Sequence, residues 1–275
     1  MTDALALRDY QRLADLIEGQ VGIRLPASKR AMVEGRLRRR VRALQLPDLE
    51  AYCRMLFDGG GLAAEMVPLI DAVTTNKTDF FREPQHFDFL KREAVPALLA
   101  ERTSRQLKVV SAACSNGAEP YTLAMVLAEM ALKLAFRFAI LGLDISTQML
   151  AQAEAAVYPA AMMDPVPPEL RARWVMRSRD PAQELVRMVP ELRRAVRFMR
   201  LNLMDGSYAL DRDIDVIFCR NVLIYFDAAN QRAVIQRLAG HLRTGGFLFV
   251  GHSDCICGDE HPALKPVSVT VFQKR

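Results

Sequence analysis

A chain of 275 residues, 51% hydrophobic and 25% charged, is long enough to bury one large core or two modest ones, and its composition excludes a disordered or fibrous protein. Its net charge of +5 is concentrated: residues 28–44, "SKRAMVEGRLRRRVRAL", hold seven Lys or Arg against one Glu. The opening "MTDALALRDY" has acidic residues and no apolar run, which argues against a secretory leader, and the five scattered cysteines fit reduced thiols, so a cytoplasmic location is expected.

Residues 1–70 read as helices only. "YQRLADLIEGQVGI" has apolar positions at helical spacing and stops near Gly22, and Ser28 then reads as the N-cap of the basic helix. In that helix Val33, Leu37, Val41 and Leu44 form one apolar stripe, with Arg38, Arg39 and Arg42 on the opposite face. Pro47 ends it, "DLEAYCRMLF" supplies another short helix, and "DGGG" comes next as a flexible break. The expectation is a small all-α domain over 1–70, a linker over 71–89, and a second domain over 90–275.

From about residue 90 strands and helices alternate. "LKVVSAA" is followed by a helix from Pro120, "FRFAILGLD" by a helix capped by Ser146, and then come "AVRFMRLNL", "DIDVIFCRN" and a helix around "AANQRAVIQRLAGHL". Past an "RTGG" turn, "FLFVGHSD" and "SVTVFQKR" close the chain. Such alternation predicts an α/β fold with a parallel, doubly wound sheet. It lapses at about 166–198, which predicts a small subdomain of helix and short strands inserted there. The most apolar run, "LAMVLAEMALKLAFRFAILGL", is interrupted by Glu129 and Lys133 at i,i+4 spacing. A buried helix leading into a buried strand accounts for it, and no membrane insertion is expected. Cys255 and Cys257 form C-x-C without a second Cys or His pair to complete a zinc site, so no metal centre is expected.

In an open α/β sheet, ligands sit outside the carboxyl ends of the strands, so the residues after each predicted strand are the candidates. In "SAACSNGAEPY" small residues admit a ligand to the backbone and Gly117 permits a tight turn. Glu119 opposes an anion there and suits a cationic group such as an α-ammonium; the plainer reading is an acidic first turn. Asp144, ending the second strand, is placed to accept hydrogen bonds from a ribose diol, or else to cap the turn from Ile145 onward. The two acids together favour a nucleoside that carries an amino acid, of which S-adenosylmethionine is the common one. Asn202 is placed to meet an adenine edge, Arg220 and Asn221 to line the pocket floor, and Tyr225 to face the substrate.

The blocks "TTNKTDFFRE" (74–83), "SAACSNGAEPYTLAM" (111–125), "LDIS" (143–146), "NLMD" (202–205), "IFCRNVLIYFD" (217–227) and "GGFLFVGHSD" (245–254) resemble the chemotaxis receptor methyltransferases, the CheR family, and span nearly the whole chain. The resemblance implies a Rossmann-like S-adenosylmethionine-dependent methyltransferase domain with an inserted β-subdomain, preceded by a small helical domain. It implies methyl transfer to glutamate side chains of chemoreceptors, giving glutamyl methyl esters, with S-adenosylhomocysteine as product. Matched by position, Asn76, Thr78, Arg82, Glu119, Asp144, Asn202, Leu203, Arg220 and Asn221 would contact the cofactor, with Arg82 and Tyr225 nearest the transferred methyl. Phe80 and Phe81 would help close the site against water. A glutamate with a pKa of about 4.3 is already ionised at neutral pH, so no strong base is needed. His86, His241, His252 and His261 therefore read as structural, with His252 at a strand end.

The basic helix is either a solvated face or a docking surface. In the resembling family this region is implicated in contact with the receptor's helical bundle, which makes Arg36, Arg38, Arg39 and Arg42 candidate receptor-binding residues. Family members that tether to a receptor's C-terminal pentapeptide use glycines in a turn of the β-subdomain; "MRSRDPAQELVRM" has none, which argues against tethering. A nucleic-acid methyltransferase is the rival enzyme, but its Asn/Asp-Pro-Pro-aromatic motif is missing where "RNVLIYF" stands. A cofactor-binding scaffold without activity is the rival outside enzymes, disfavoured because Arg82 and Tyr225 are both present.

Overall fold

The computed structural model describes residues 4–101, 105–180, 182–254 and 261–275. The chain begins with four helices, α1 (Leu7–Val21), α2 (Arg30–Ala43), α3 (Leu49–Phe57) and α4 (Leu62–Val73). α1 stops at Gly22, which adopts φ 71° and donates its N–H to the Glu18 carbonyl. A Cβ at Gly22 would lie 2.5 Å from Met204 Sδ and 3.2 Å from the Phe226 ring, so only glycine lets this turn press against the rest of the molecule.

Ser28 is not the cap of α2. Pro26 opens a 3-10 turn at Ala27–Lys29 whose Lys29 N–H bonds the Pro26 carbonyl at 2.8 Å, and the helix grows from that turn. Val33, Leu37 and Val41 are buried as expected, but Leu44 lies past the last helical residue and is exposed. Asp48 caps α3 by accepting the Ala51 N–H at 2.7 Å. α4 carries Pro68 in its interior, which hides it from helical pattern, and it runs to Val73. Inside the bundle Glu65 accepts two bonds from Arg40 (2.6 and 2.9 Å) and one from the Tyr52 hydroxyl (3.1 Å), so part of the basic run neutralises a buried acid. Tyr10, Leu13, Ile17, Leu37, Tyr52 and Leu69 form the bundle's apolar core.

An extended linker leads to α5 (Pro84–Phe89), a π-helical turn at Leu90–Ala94, and α6 (Val95–Ala100). Then come β1 (Gln106–Ala112), α7 (Ala118–Leu134), β2 (Arg137–Asp144) and α8 (Thr147–Ala155). α7 starts at Ala118 behind a left-handed Gly117, so Pro120 stands inside its first turn, while Ser146 caps α8 by accepting the Met149 N–H. The chain continues through β3 (Val157–Pro159), α9 (Pro168–Trp174), β4 (Val175–Arg177), β5 (Leu185–Met188), α10 (Pro190–Ala195) and β6 (Val196–Arg200). It ends with β7 (Ile214–Cys219), α11 (Ala228–His241), β8 (Leu242–Val250), β9 (Leu264–Ser268) and β10 (Val271–Lys274).

The main sheet has the order β6-β2-β1-β7-β8-β10-β9. The first five strands are parallel, and β10 and β9 are antiparallel additions at the edge. Two expectations change here. "RTGG" is no turn: β8 starts at Leu242, shifts register against β7 between Ile214 and Val216, and uses Gly246 where a Cβ would come within 3.0 Å of the Asp215 carbonyl. "SVTVFQKR" is no single strand either, since Thr270 turns the chain with φ 57° between β9 and β10. Neighbouring residues Val109 and Val110, Ile217 and Phe218, and Leu248 and Phe249 fall into separate apolar clusters, one for each face of a sheet buried on both sides.

A second sheet, β3-β5-β4, is antiparallel and begins at Val157, ahead of the predicted 166. α7 is the buried helix of the most apolar run; its Glu129 accepts bonds from Arg173 (3.0 Å) and the Trp174 indole (2.8 Å), tying the small sheet's helix to the main one. Among the described residues no helix is long and apolar enough to cross a membrane.

Candidate active site

The order of the sheet reverses between β1 and β7, and at the carboxyl ends of those strands lies the cavity that holds the predicted residues. It encloses about 1270 Å³ of atom-free space out to bulk solvent. Asn76, Thr78, Arg82, Glu119, Asp144, Asn202, Leu203, Arg220, Asn221 and Tyr225 all line it. They come from the linker, from four strand ends and from the turn after β7. Val21, Ile23, Arg24 and Leu25 of the helical domain line it too, which no strand-end rule could foresee.

The walls are held by unusual backbone. Phe81, Glu83, Ala113, Ser115 and Asn221 all adopt positive φ between 51° and 57° without being glycine. Such residues cost about 1–3 kcal/mol each and persist where surrounding bonds over-determine them. Those bonds are present. The Ser115 N–H donates to Asp144 Oδ2 at 2.8 Å and its hydroxyl to the Asn76 carbonyl at 2.7 Å. The Phe81 N–H donates to the Thr122 hydroxyl at 3.2 Å. Asp254, buried and absent from the predicted set, accepts the N–H groups of Asn221 (2.6 Å), Gly251 (3.0 Å) and Ile224 (3.1 Å). It thereby pins the turn that carries both Asn221 and Tyr225.

Arg220 is the electrostatic centre. Its side chain is 2% exposed and lies between two carboxylates, Glu119 Oε2 at 3.0 Å and Glu83 Oε2 at 3.2 Å, and it also donates to the Arg82 carbonyl. Glu119 is therefore not a free acid; it is paired, and it takes a further bond from the Ser111 hydroxyl at 2.7 Å. Burial pushes its carboxyl above the usual range against the pull of Arg220. Burial would raise Glu83 too, but the Asn221 amide, the Arg220 charge and His252 outweigh it and bring Glu83 down to about 2. Two carboxylates share one buried guanidinium, so the group retains negative character that a cationic ligand can meet.

Asp144 accepts one backbone N–H on each oxygen, from Ser146 and Ser115, both at 2.8 Å, and each oxygen keeps capacity for another donor. Burial pushes its pKa up against these bonds. The cap reading and the ligand reading of Asp144 are thus compatible. Asn202 is more committed: its amide donates to the Gln20 carbonyl at 2.8 Å and accepts the Met204 N–H at 3.0 Å, fastening the helical domain to the strand end. The Arg24 N–H donates to the Tyr225 carbonyl at 3.1 Å, a second fastening. Arg82 is exposed at the cavity, with one bond to the Lys77 carbonyl at 3.3 Å. The acidic, diol-ready and apolar linings fit the ammonium, ribose and base of S-adenosylmethionine.

The four arginines predicted for docking do not behave alike. Arg36 turns inward and donates to the carbonyls of Val73 (2.6 Å) and Thr74 (3.0 Å) and to the Thr75 hydroxyl (3.2 Å), splinting α2 to the linker. Burial and the neighbouring Arg39 lower its pKa. Arg38 lies 3.9 Å from Glu34, while Arg39 and Arg42 are exposed. Glu83, Asp254 and Ser115 were the site residues that sequence reasoning passed over. Glu83 stood in the "FFRE" stretch but follows no strand, and Asp254 ended "GHSD" with nothing to mark it as buried.

Residues 76–272 match the family described as "CheR methyltransferase, SAM binding domain", and residues 8–74 match "CheR methyltransferase, all-alpha domain". The chain is 39% identical to the chemotaxis protein methyltransferase of Salmonella typhimurium, over 92% of this chain and 86% of that one. It is 38% identical to the protein of the same name in Escherichia coli, over 92% and 87%. Identity to chemotaxis protein methyltransferase 2 of Pseudomonas aeruginosa is 35%, over 96% and 92%. With both domains matched and the strand-end cavity built from the family's blocks, the chain belongs to the CheR methyltransferase family.

Proposed function

We propose that this enzyme methylates glutamate side chains on the cytoplasmic helical bundle of chemoreceptors, with S-adenosylmethionine as donor. The observation that carries the reading is the cavity lined together by Arg82, Tyr225, Asp144, Glu119 and Arg220, with Glu83 paired to Arg220 behind it. When bound, S-adenosylmethionine would supply a sulfonium-linked methyl group, which a glutamate oxygen takes while the thioether sulfur leaves with the C–S electron pair, giving a methyl ester and S-adenosylhomocysteine.

The side chains' work is binding and orientation. Asp144 and Glu119 hold the nucleoside and amino-acid ends, with Asn76, Thr78, Leu203 and Asn221 along the wall. Arg82 and Tyr225 hold the incoming glutamate, already ionised, and remove no proton from it. Phe81 and Phe87, packed at 5.5 Å between ring centroids, help exclude water from the charges. Arg38, Arg39 and Arg42 form the docking face, and Arg36 supports them from behind. The hairpin between β4 and β5 has no glycine, so a receptor C-terminal pentapeptide is not expected to bind. Micromolar heat of binding for such a peptide would overturn that.

The test is transfer of labelled methyl to receptor-containing membranes. Base-labile counts mark a carboxyl ester; base-stable counts, or none, would sink the reading. Reversing the charge of Arg38 and Arg42 together should raise KM for receptor and leave cofactor affinity unchanged.

A further inference from the structure

Behind Arg220, outside the cavity lining, Glu83, His86 and His252 bring one carboxylate oxygen and two imidazoles within 4.8 Å of one another. One nitrogen of the arrangement is unsatisfied. His86 is 1% exposed, and its Nδ1 faces Glu83 Oε2 at 3.4 Å without a hydrogen-bond partner, while that oxygen is ion-paired with Arg220 at 3.2 Å. His252 Nδ1 lies 3.0 Å from the same oxygen, and the two rings stack at 5.3 Å.

The far nitrogens of both rings are already engaged. The Thr270 hydroxyl lies 2.7 Å from both the Val269 carbonyl and His86 Nε2; when it donates to the carbonyl it accepts from Nε2, which is the tautomer that leaves Nδ1 unprotonated. His252 Nε2 lies 2.8 Å from the Gln85 amide, whose oxygen and nitrogen exchange places by a simple flip. His86 Nδ1 is thus left without a partner, and His252 Nδ1, which also lies 3.3 Å from the Gln85 amide, faces the same Glu83 oxygen. Metal-bound histidines show this pattern, one nitrogen on the ion and the other donating to a fixed acceptor. Two zinc bonds at a tetrahedral angle set their ligand atoms about 3.3 Å apart, and the carboxylate–imidazole distances here are 3.0 and 3.4 Å.

We propose that Glu83, His86 and His252 form an inhibitory site for a zinc-class divalent cation. Two imidazoles with one carboxylate select zinc, nickel or copper over magnesium or calcium. The ion and Arg220 compete for Glu83 Oε2, and Arg220 keeps Glu119 as its remaining counter-ion. Glu83 also accepts the Asn221 amide at 3.0 Å, and Arg220 holds the Arg82 carbonyl, so occupation loosens two cavity residues at once.

The experiment uses full-length protein stripped with chelator, titrated with Zn²⁺ by calorimetry at pH 7.5. One saturable site is expected, with an X-ray absorption spectrum of nitrogen and oxygen ligands only. His252 is 41% exposed, so His252→Ala should keep its fold without metal, checked by circular dichroism and a single cooperative melt. It should bind Zn²⁺ about tenfold more weakly or worse. Zn²⁺ should inhibit methyl transfer by the wild-type enzyme, reversibly with EDTA, and spare the variant. No saturable binding up to about 100 µM overturns the proposal. So does unchanged affinity in His252→Ala, or sulfur in the ligand shell, which would move the ion to Cys255 and Cys257; that pair lies outside the described residues.

Discussion

Asp254 shows how much one carboxylate can organise. Its two oxygens accept three backbone N–H groups from the loops after β7 and β8, and the carboxylate that takes them is buried. Asp254→Ala should therefore cost about 3 kcal/mol or more in urea unfolding, because buried donors are left unpaired. It should lower turnover as well, through Tyr225. Arg82 is the opposite case, exposed and bonded only loosely within the chain, so Arg82→Ala should leave the unfolding midpoint nearly unchanged while turnover falls about a hundredfold. Near-normal turnover would remove Arg82 from the reaction. Cysteines add a pH test. Burial pushes Cys53 from its usual value near 9 up to about 12, and raises Cys114 and Cys219 as well. These thiols should resist iodoacetamide in the folded protein at pH 8, as mapped by mass spectrometry. A thiol pKa raised by folding stabilises below about 9, and that contribution is lost as pH rises toward 12.

At the scale of elements, what could be read from sequence depended on how local the cause was. Period and caps located α1, α3, α8, β1, β2 and β7, since alternation, Gly22 and Ser146 act within a few residues of themselves. The strand-end rule then collected Glu119, Asp144, Asn202 and Arg220 into one site. Non-local causes stayed hidden. Pro68 masked α4, the bulge in β8 depends on the backbone of β7, and Glu83 acquires its role only when Arg220 arrives from 137 positions further on. Arg36 looked like its neighbours until the linker carbonyls claimed it. The turn between β1 and α7 offers a test at this scale. Gly117 has φ 87°, and a Cβ there would sit 2.8 Å from Ala153 Cβ and 3.0 Å from the Tyr158 hydroxyl. Gly117→Ala should destabilise by about 2 kcal/mol or more and weaken cofactor binding, since the turn carries Ser115.

For the molecule as a whole, the linker joins the two domains and also forms a wall of the cavity, with Asn76, Lys77, Thr78 and Arg82 among its lining. Ligand occupancy should then govern how often the linker detaches. With S-adenosylhomocysteine at about a hundred times its Kd, trypsin cleavage after Lys77 should slow by up to about a hundredfold. Equal rates with and without product would show that the linker opens independently of the site.

The strand order at the far edge of the sheet bears on the time course of synthesis. β10 comes after β9 in the chain yet lies between β9 and β8. β9 thus leaves the ribosome with no strand beside it, and on its side of the sheet the flank of β8 stands open. That flank stays an open template until β10 emerges and slots in, and any apolar strand of a neighbouring nascent chain competes for it meanwhile.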